Sequence, residues 1–157
     1  MSLSEEVVTT LINKNLTISI CESVTGGMIA SSLVDIPNAS KTFIASIITY
    51  TNKSKSMLLG VKKETLEKYG AISKEIANEM VNGLIKKTNS DIGISITGNA
   101  GPKPNENKPI GLAYLGICVI DKIYVYEIHS DKIDRNDIRI DFVYQALSYL
   151  QKHLSKR

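Results

Sequence analysis

The sequence predicts a single α/β domain in which helices pack against a mixed β-sheet, and three observations support this. Segments with helical hydrophobic spacing alternate with short strand-like runs as far as residue 97. The last two strand-like runs are separated only by a turn, which is typical of an antiparallel hairpin. The 157 residues, 43% hydrophobic and 22% charged, suit one domain, residues 1–157, with one substantial core. Alternating helices imply parallel strands, so the hairpin makes the sheet mixed.

Each element follows from a local pattern. Apolar residues spaced three and four apart predict helices over residues 5–13, 28–34, 51–59, 63–68, 73–87 and 134–154. Ser2 and Glu5 have the spacing of a capping box, and Ser73 is the expected cap of the fifth helix. Runs rich in β-branched residues predict strands over residues 16–21, 43–49, 91–97, 110–120 and 122–128. The hairpin turn is expected at Asp121-Lys122.

Composition excludes several classes of function. The net charge is only +3 and no basic block contains interleaved aromatic residues, so no nucleic-acid partner is expected. No apolar run is long enough to span a bilayer, which argues against a membrane partner. Cys21 and Cys118 lie in apolar runs without a preceding secretory signal, so we expect reduced thiols in a cytoplasmic protein. The two histidines and two cysteines lack metal-ligand spacing, and neither a metal nor another cofactor is expected.

Residues 22–27, Glu-Ser-Val-Thr-Gly-Gly, are the most informative segment because they join a predicted strand to a predicted helix. The first N–H groups of a helix lack partners within it, and they can bind a phosphate or the oxyanion formed when a serine attacks a carbonyl. Two alternatives stay open for Ser23. It is a nucleophile in such a site, or Ser23 or Thr25 simply caps the helix, with Thr25 the better candidate for the cap.

A second and a third loop also follow predicted strands. Residues 50–55 contain Tyr50 and Lys55, and a lysine with a lowered pKa can activate a serine. Burial or the neighbouring cation Lys53 would lower that pKa, whereas the alternative is that both lysines are solvated. Residues 97–102 form a glycine-containing turn that permits close approach of a ligand. If the three strands are parallel neighbours, the three loops share one edge of the sheet.

Arg135 and Arg139 lie one helical turn apart at the start of the last helix and share a face. They can grip a phosphate as two planar forks, or acidic neighbours on the same helix can neutralise them at the surface. The histidines are weaker candidates. His153 is expected at the surface, while His129 follows the last strand and can reach a pocket.

Five short motifs occur here in one order: Glu-Ser-Val-Thr-Gly-Gly at 22–27, Thr-Tyr-Thr-Asn at 49–52 with Lys55, Gly-Ala-Ile-Ser at 70–73, Gly98 with Ala-Gly-Pro at 100–102, and Lys-Pro-Ile-Gly at 108–111. Together they resemble the CinA C-terminal domain family, the nicotinamide mononucleotide deamidases. The resemblance runs from about residue 16 to residue 139. It implies a three-layer α/β/α sandwich with a mixed, mostly parallel sheet.

The resemblance also implies hydrolysis of the carboxamide of nicotinamide mononucleotide to nicotinate mononucleotide and ammonia, a salvage step for NAD synthesis, with this nucleotide as the small-molecule partner. On the family pattern Ser23 is the nucleophile, and Tyr50 and Lys55 assist proton transfer. Val24 and Asn99 depart from the residues that the family commonly carries, so Asn99 is expected to alter the pocket. The predicted substrate-binding residues are Thr25, Gly26, Gly27, Asn52, Gly98, Asn99, Ala100, Gly101, Arg135 and Arg139.

Two rival functions and the state of assembly stay open at this point. The same loops would serve a nucleotide-binding or regulatory module without turnover, in which Ser23 only donates hydrogen bonds. A structural scaffold would show no pocket at the three strand ends. A sheet edge or an exposed helix can support a homo-oligomer, whose size the sequence leaves open.

Overall fold

The computed structural model describes residues 1–156, which form three layers, α/β/α, around a five-stranded sheet. The predicted domain runs one residue further, to Arg157, which lies outside the described residues. The helices are α1 Leu3–Asn13, α2 Met28–Val34, α3 Asn52–Leu59, α4 Lys63–Tyr69, α5 Lys74–Thr88 and α6 Arg135–Ser155. The strands are β1 Ile18–Glu22, β2 Phe43–Ile48, β3 Ile92–Gly98, β4 Leu112–Val119 and β5 Lys122–His129. A 3₁₀ helix over Ala39–Lys41, which the sequence did not predict, precedes β2.

The sheet has the strand order β2-β1-β3-β4-β5. β1 is parallel to both neighbours, while β4 is antiparallel to β3 and to β5, so only β4 runs against the other four. This confirms the mixed, mostly parallel sheet. Glu22 at the end of β1 lies opposite Ile48 of β2 and Ile96 of β3, so these three strands end at one edge. The loops that follow them therefore meet, as predicted.

Both faces of the sheet are covered by apolar side chains. Ile20 of β1 joins a cluster with residues of α1, α2 and α6 on one face, whereas Cys21 joins a smaller cluster with residues of α5 on the other. Successive residues of a strand face opposite sides, so a strand buried along its whole length must be packed on both. β1 is buried at every position, and β3 is buried up to its last residue. This rigid centre carries the strand ends that hold the functional loops.

Two predicted helix caps are confirmed, but the predicted bounds of β4 are wrong at both ends, where the chain turns. Ser2 forms the predicted capping box, and Ser73 accepts a hydrogen bond from the N–H of Ile76 as the predicted cap. The turn between β4 and β5 was predicted at Asp121-Lys122, one residue too late. It is formed by Ile120-Asp121, where Ile120 adopts a left-handed φ of 62°. β4 begins two residues later than predicted because Gly111 turns the chain with a φ of 92°.

Candidate active site

Ser23 and Lys55 are in direct contact at the edge where β1, β2 and β3 end. The Lys55 Nζ lies 3.0 Å from the Ser23 Oγ and 2.8 Å from the carbonyl oxygen of Thr49, the residue after β2. Ser23 follows β1 directly, and Lys55 lies in the first turns of α3, whose start is capped by Thr51. Two neighbouring strands and the helix that follows one of them therefore bring a hydroxyl and an amine together from positions 32 residues apart.

Lys55 is buried, which contradicts the alternative that it is a solvated helix residue. Only 1% of its side chain is exposed. Burial removes solvent from the ammonium and lowers the pKa of Lys55 from 10.5 to about 8, against an opposing effect of the Glu106 carboxylate. Of the two expected causes, burial is the one that the structure shows, whereas Lys53 is exposed and is not among the causes. A lysine with a pKa near 8 can accept a proton from a serine at neutral pH.

The start of α2 is capped by Glu22 and not by a hydroxyl. The buried Glu22 carboxylate accepts hydrogen bonds from the N–H of Ile29 at 3.0 Å, from the N–H of Ala30 at 3.0 Å and from the Thr25 hydroxyl at 2.5 Å. The prediction that Thr25 caps this helix was therefore wrong, because its hydroxyl is turned inward to Glu22. These helix N–H groups also do not face a ligand, contrary to expectation, since a carboxylate from the preceding strand already occupies them.

A cavity of about 290 Å³ opens next to the Ser23–Lys55 pair. That volume is close to the lower end of the range for small-molecule sites. Its walls are Ser23, Val24, Tyr50, Thr51, Asn52, Lys55, Ala71, Ile72, Thr97, Gly98, Asn99, Ala100, Asn105, Glu106 and Arg135. They include all three predicted catalytic residues and five of the ten predicted substrate-binding residues. The other five lie outside the walls: Thr25, Gly26, Gly27, Gly101 and Arg139.

Tyr50 and Arg135 meet at the mouth of the cavity. The Tyr50 side chain is 59% exposed, and its hydroxyl accepts a hydrogen bond of 3.1 Å from Nη2 of Arg135. The other guanidinium nitrogen, Nη1, donates to the carbonyl oxygen of Gly101. Within residues 1–156 the Tyr50 hydroxyl contacts neither Ser23 nor Lys55, so the shortest proton path in this arrangement runs directly between those two.

Arg139 contacts the Ser23 loop and does not line the cavity. Its Nε donates to the carbonyl oxygen of Val24 at 2.9 Å, its Nη2 to that of Thr25 at 3.2 Å, and its Nη1 to Oδ1 of Asn136 at 3.3 Å. Among the described residues neither Arg139 nor Arg135 forms an ion pair. The alternative that acidic neighbours neutralise these arginines was therefore wrong, because their donors bond carbonyl oxygens of the loops, the Tyr50 hydroxyl and the Asn136 side chain.

The third loop is part of a longer connection between β3 and β4, residues 99–111, which charged side chains hold against the segment that precedes α5. Glu106 accepts hydrogen bonds from the N–H groups of Ala71 at 2.9 Å and Ile72 at 3.0 Å, and Lys108 donates to carbonyl oxygens next to them. Asn99 is buried and fixes the loop from inside, since its Oδ1 accepts from the N–H of Gly101. Asn99 therefore shapes the pocket through the loop as well as through its place in the wall.

Seven residues of the cavity wall are not among the predicted site residues: Val24, Thr51, Ala71, Ile72, Thr97, Asn105 and Glu106. Thr97 belongs to the third loop, residues 97–102, but was not named as a binding residue. Glu106 carried no local signal, since a glutamate in a proline-rich loop reads as solvated. His129 is paired with Glu127 at 2.8 Å outside the cavity wall, and His153 contacts the Tyr126 hydroxyl at 2.6 Å.

Cys21 and Cys118 are buried and unpaired, and burial raises the pKa of both thiols. In the part of the chain that the structure describes, no group of three His, Cys, Asp or Glu side chains is arranged to hold a metal ion. Over the same residues, 1–156, no helix combines the length and the apolar character that a bilayer crossing requires.

The chain is similar to proteins of one family along almost its entire length. A family model described as the CinA C-terminal domain matches residues 1–154. A CinA-like protein of Fusobacterium nucleatum is 51% identical over 145 residues, which are 92% of this chain and 35% of that protein. A Clostridium perfringens protein described as competence-damage inducible is 45% identical over 157 residues, 99% of this chain and 38% of that protein. The chain thus spans well under half the length of these relatives.

Solved structures of similar proteins share the fold closely. A CinA superfamily protein from Klebsiella pneumoniae superposes with a TM-score of 0.95 at 26% identity, covering 99% of this chain and 97% of that one. The competence/damage inducible protein CihA from Agrobacterium tumefaciens superposes with a TM-score of 0.91 at 33% identity, covering 98% and 93%. With a family model that matches nearly every residue and a fold shared at this level, the chain belongs to the CinA C-terminal domain family.

Proposed function

We propose that this chain is a serine amidohydrolase that converts nicotinamide mononucleotide to nicotinate mononucleotide and ammonia. The observation that carries the proposal is the 3.0 Å contact between Ser23 Oγ and the buried Lys55 Nζ, an amine whose pKa is about 8. A lysine that is partly neutral at physiological pH and touches a serine is a general base for nucleophilic attack. With this pKa, about a tenth of the Lys55 side chains are neutral at pH 7.

The reaction proceeds by acyl transfer. Neutral Lys55 takes the proton of Ser23, and the serine oxygen attacks the carboxamide carbon and forms a tetrahedral oxyanion. The C–N bond then breaks, and the leaving ammonia takes the proton that Lys55 carries. Water attacks the resulting ester, gives a proton to Lys55 and releases the carboxylate, after which Ser23 regains its proton. The carbonyl of Thr49 holds the amine in place throughout these steps.

Two further parts of the site support the substrate assignment. N–H groups of the Ser23 loop would bind the oxyanion, each good donor contributing about 3 kcal/mol. Arg135 lines the cavity mouth and carries guanidinium donors beyond the two that bond Tyr50 and Gly101. We propose that these donors receive the substrate phosphate, while Asn52, Gly98, Asn99 and Ala100 contact the rest of the nucleotide.

An ammonia-release assay on nicotinamide mononucleotide tests the proposal. Wild type should release ammonia and nicotinate mononucleotide in equal amounts, and Ser23→Ala should release neither while still binding the nucleotide in calorimetry. Ser31→Ala, the same substitution at an exposed position of α2, is the matched control and should behave as wild type. Nucleotide binding by a wild type that releases no ammonia would contradict the amidase function and favour the non-catalytic module.

A further inference from the structure

We infer that Arg139 is a positioning residue, which holds the Ser23 turn so that the N–H group of Thr25, next to that of Val24, forms the oxyanion-binding site. This inference rests on the proposed acyl transfer at Ser23. It gives Arg139 a role different from the one that its spacing with Arg135 suggests, since both arginines were expected to bind phosphate.

The residues after Ser23 form a tight turn. The N–H of Gly26 donates to the carbonyl oxygen of Ser23 at 3.1 Å, which places Val24 and Thr25 at the two central positions. The Arg139 guanidinium donates to the carbonyl oxygens of both central residues, at 2.9 Å and 3.2 Å. One planar side chain therefore fixes two successive peptide groups of the loop that carries the nucleophile.

Because the peptide group is planar, a side chain that fixes the C=O also fixes the direction of the N–H in the same peptide. In a trans peptide the N–H points opposite to the C=O, so the N–H of Thr25 points away from Arg139. Within residues 1–156 the N–H groups of Val24 and Thr25 have no hydrogen-bond acceptor. Val24 and Ser23 are neighbours in the cavity wall, whereas Arg139 lies outside it. These two N–H groups are thus available to an oxyanion formed at Ser23. Arg139 orients the N–H of Thr25 directly, whereas the peptide that carries the N–H of Val24 is held by the hydrogen bond from Gly26 to the Ser23 carbonyl.

The geometry requires a guanidinium. Two carbonyl oxygens of successive residues match the fixed spacing of Nε and Nη2, whereas an ammonium is a point charge without a preferred plane. Oδ1 of Asn136 engages Nη1 at 3.3 Å, so all three nitrogens are used within the protein. The glycine at 26 leaves room for this contact, because a Cβ there would lie 3.1 Å from Nη2. Three of the five donors of Arg139 are therefore used within the protein, and its side chain does not line the cavity, so Arg135 is the better candidate for a substrate phosphate.

A residue that orients oxyanion donors changes the rate of the chemical step and not substrate affinity. Loss of a single oxyanion donor lowers kcat by about 10²- to 10³-fold. For Arg139→Ala we expect kcat to fall about 100-fold with KM nearly unchanged. Arg135→Ala, in contrast, should raise KM for nicotinamide mononucleotide. With a substrate that lacks the phosphate, the variant and the wild type should have the same KM.

A fluorophosphonate probe tests Arg139 independently of the nucleotide substrate. In this reaction the Ser23 oxygen bonds to phosphorus, fluoride leaves, and Lys55 takes the serine proton. Mass spectrometry of the labelled peptide gives the rate at Ser23. Arg139→Ala should be labelled about 100-fold more slowly than wild type, and tens of millimolar guanidinium should restore part of the rate. Lys152→Ala, on the exposed side of the same helix, should be labelled at the wild-type rate.

The outcomes separate this inference from the proposed function. Labelling of Arg139→Ala at the wild-type rate would overturn the positioning role, as would a raised KM with unchanged kcat. If Arg139→Ala does not fold, Arg139→Lys is used, and it must show the same loss of kcat without guanidinium rescue, since the lysine fills the space. A wild type that labels at Ser23 but releases no ammonia from nicotinamide mononucleotide would contradict the amidase function alone and leave the positioning role standing.

Discussion

Replacing Lys55 with methionine should abolish activity and at the same time change how stability depends on pH. Methionine fills a similar volume without a charge, and Lys55 is almost fully buried. Burial of the ammonium is the cause of the lowered pKa, so the folded state disfavours the charged form that the unfolded chain tolerates. The wild type therefore carries a pH-dependent cost that Lys55→Met lacks.

The magnitude follows from the pKa values. A shift from 10.5 to about 8 corresponds to about 3 kcal/mol. Below pH 8 the amine is charged in both states, and the wild type carries this full cost. Between pH 8 and 10.5 the unfolded chain binds the proton and the folded chain does not, so stability rises with pH. Relative to Lys55→Met, the free energy of unfolding of the wild type should rise by about 2.5 kcal/mol from pH 7 to pH 10.

Urea unfolding of both proteins at several pH values measures this difference. The lost hydrogen bond to the Thr49 carbonyl adds an offset of about 1–3 kcal/mol that does not vary with pH, so the trend with pH is the informative quantity. Lys53→Met is the matched control, since Lys53 is exposed on the same helix, and it should show no such trend. A difference between wild type and Lys55→Met that stays constant from pH 7 to 10 would refute the lowered pKa.

Three further predictions concern the catalytic rate, the Ser23 loop and the third loop. The kcat/KM of the wild type should rise with pH to a plateau, with a midpoint near the Lys55 pKa of about 8; a midpoint near 6 in a pH–rate profile would indicate a different base. Glu22→Gln should destabilise the protein by about 2–3 kcal/mol in urea unfolding, because the buried carboxylate accepts three hydrogen bonds and an amide has only one oxygen; a change below 0.5 kcal/mol would contradict this role. Asn99→Ala should raise hydrogen exchange in residues 101–109 and raise KM more than it lowers kcat, because Asn99 holds Gly101 and contacts Lys108; unchanged exchange would show that the loop is held by other contacts.

Much of the fold could be predicted from the sequence because local patterns agree with the final packing. The apolar spacing that predicts α5 and the serine that caps it, Ser73, lie in one continuous segment, and the structure confirms both the helix and the cap. The errors occur where the backbone departs from the usual regions. Ile120 is a β-branched residue in a left-handed conformation, which no local pattern predicts. The early start assigned to β4 has a similar origin at Gly111.

The candidate site was predicted less completely, because its parts come from distant positions. Ser23 and the lysine of the second loop were identified from motifs, but their separation of 3.0 Å is a consequence of strand order. Glu106 reaches the cavity wall only because its loop folds back onto the start of α5. Arg139 and Arg135 share a helix face, but Arg139 bonds the Ser23 loop whereas Arg135 lies at the cavity mouth.

The sequence by itself determined the elements, the three loops at strand ends and the residue types that chemistry needs there. Hydrophobic periodicity and short motifs are local properties, so a single chain displays them. Only the tertiary structure decided which hydroxyl contacts which amine, that Glu22 and not Thr25 caps α2, and that Lys55 is buried enough to lower its pKa. Those outcomes depend on burial and on contacts between residues far apart in the chain, and packing of the whole sheet against its helices sets both.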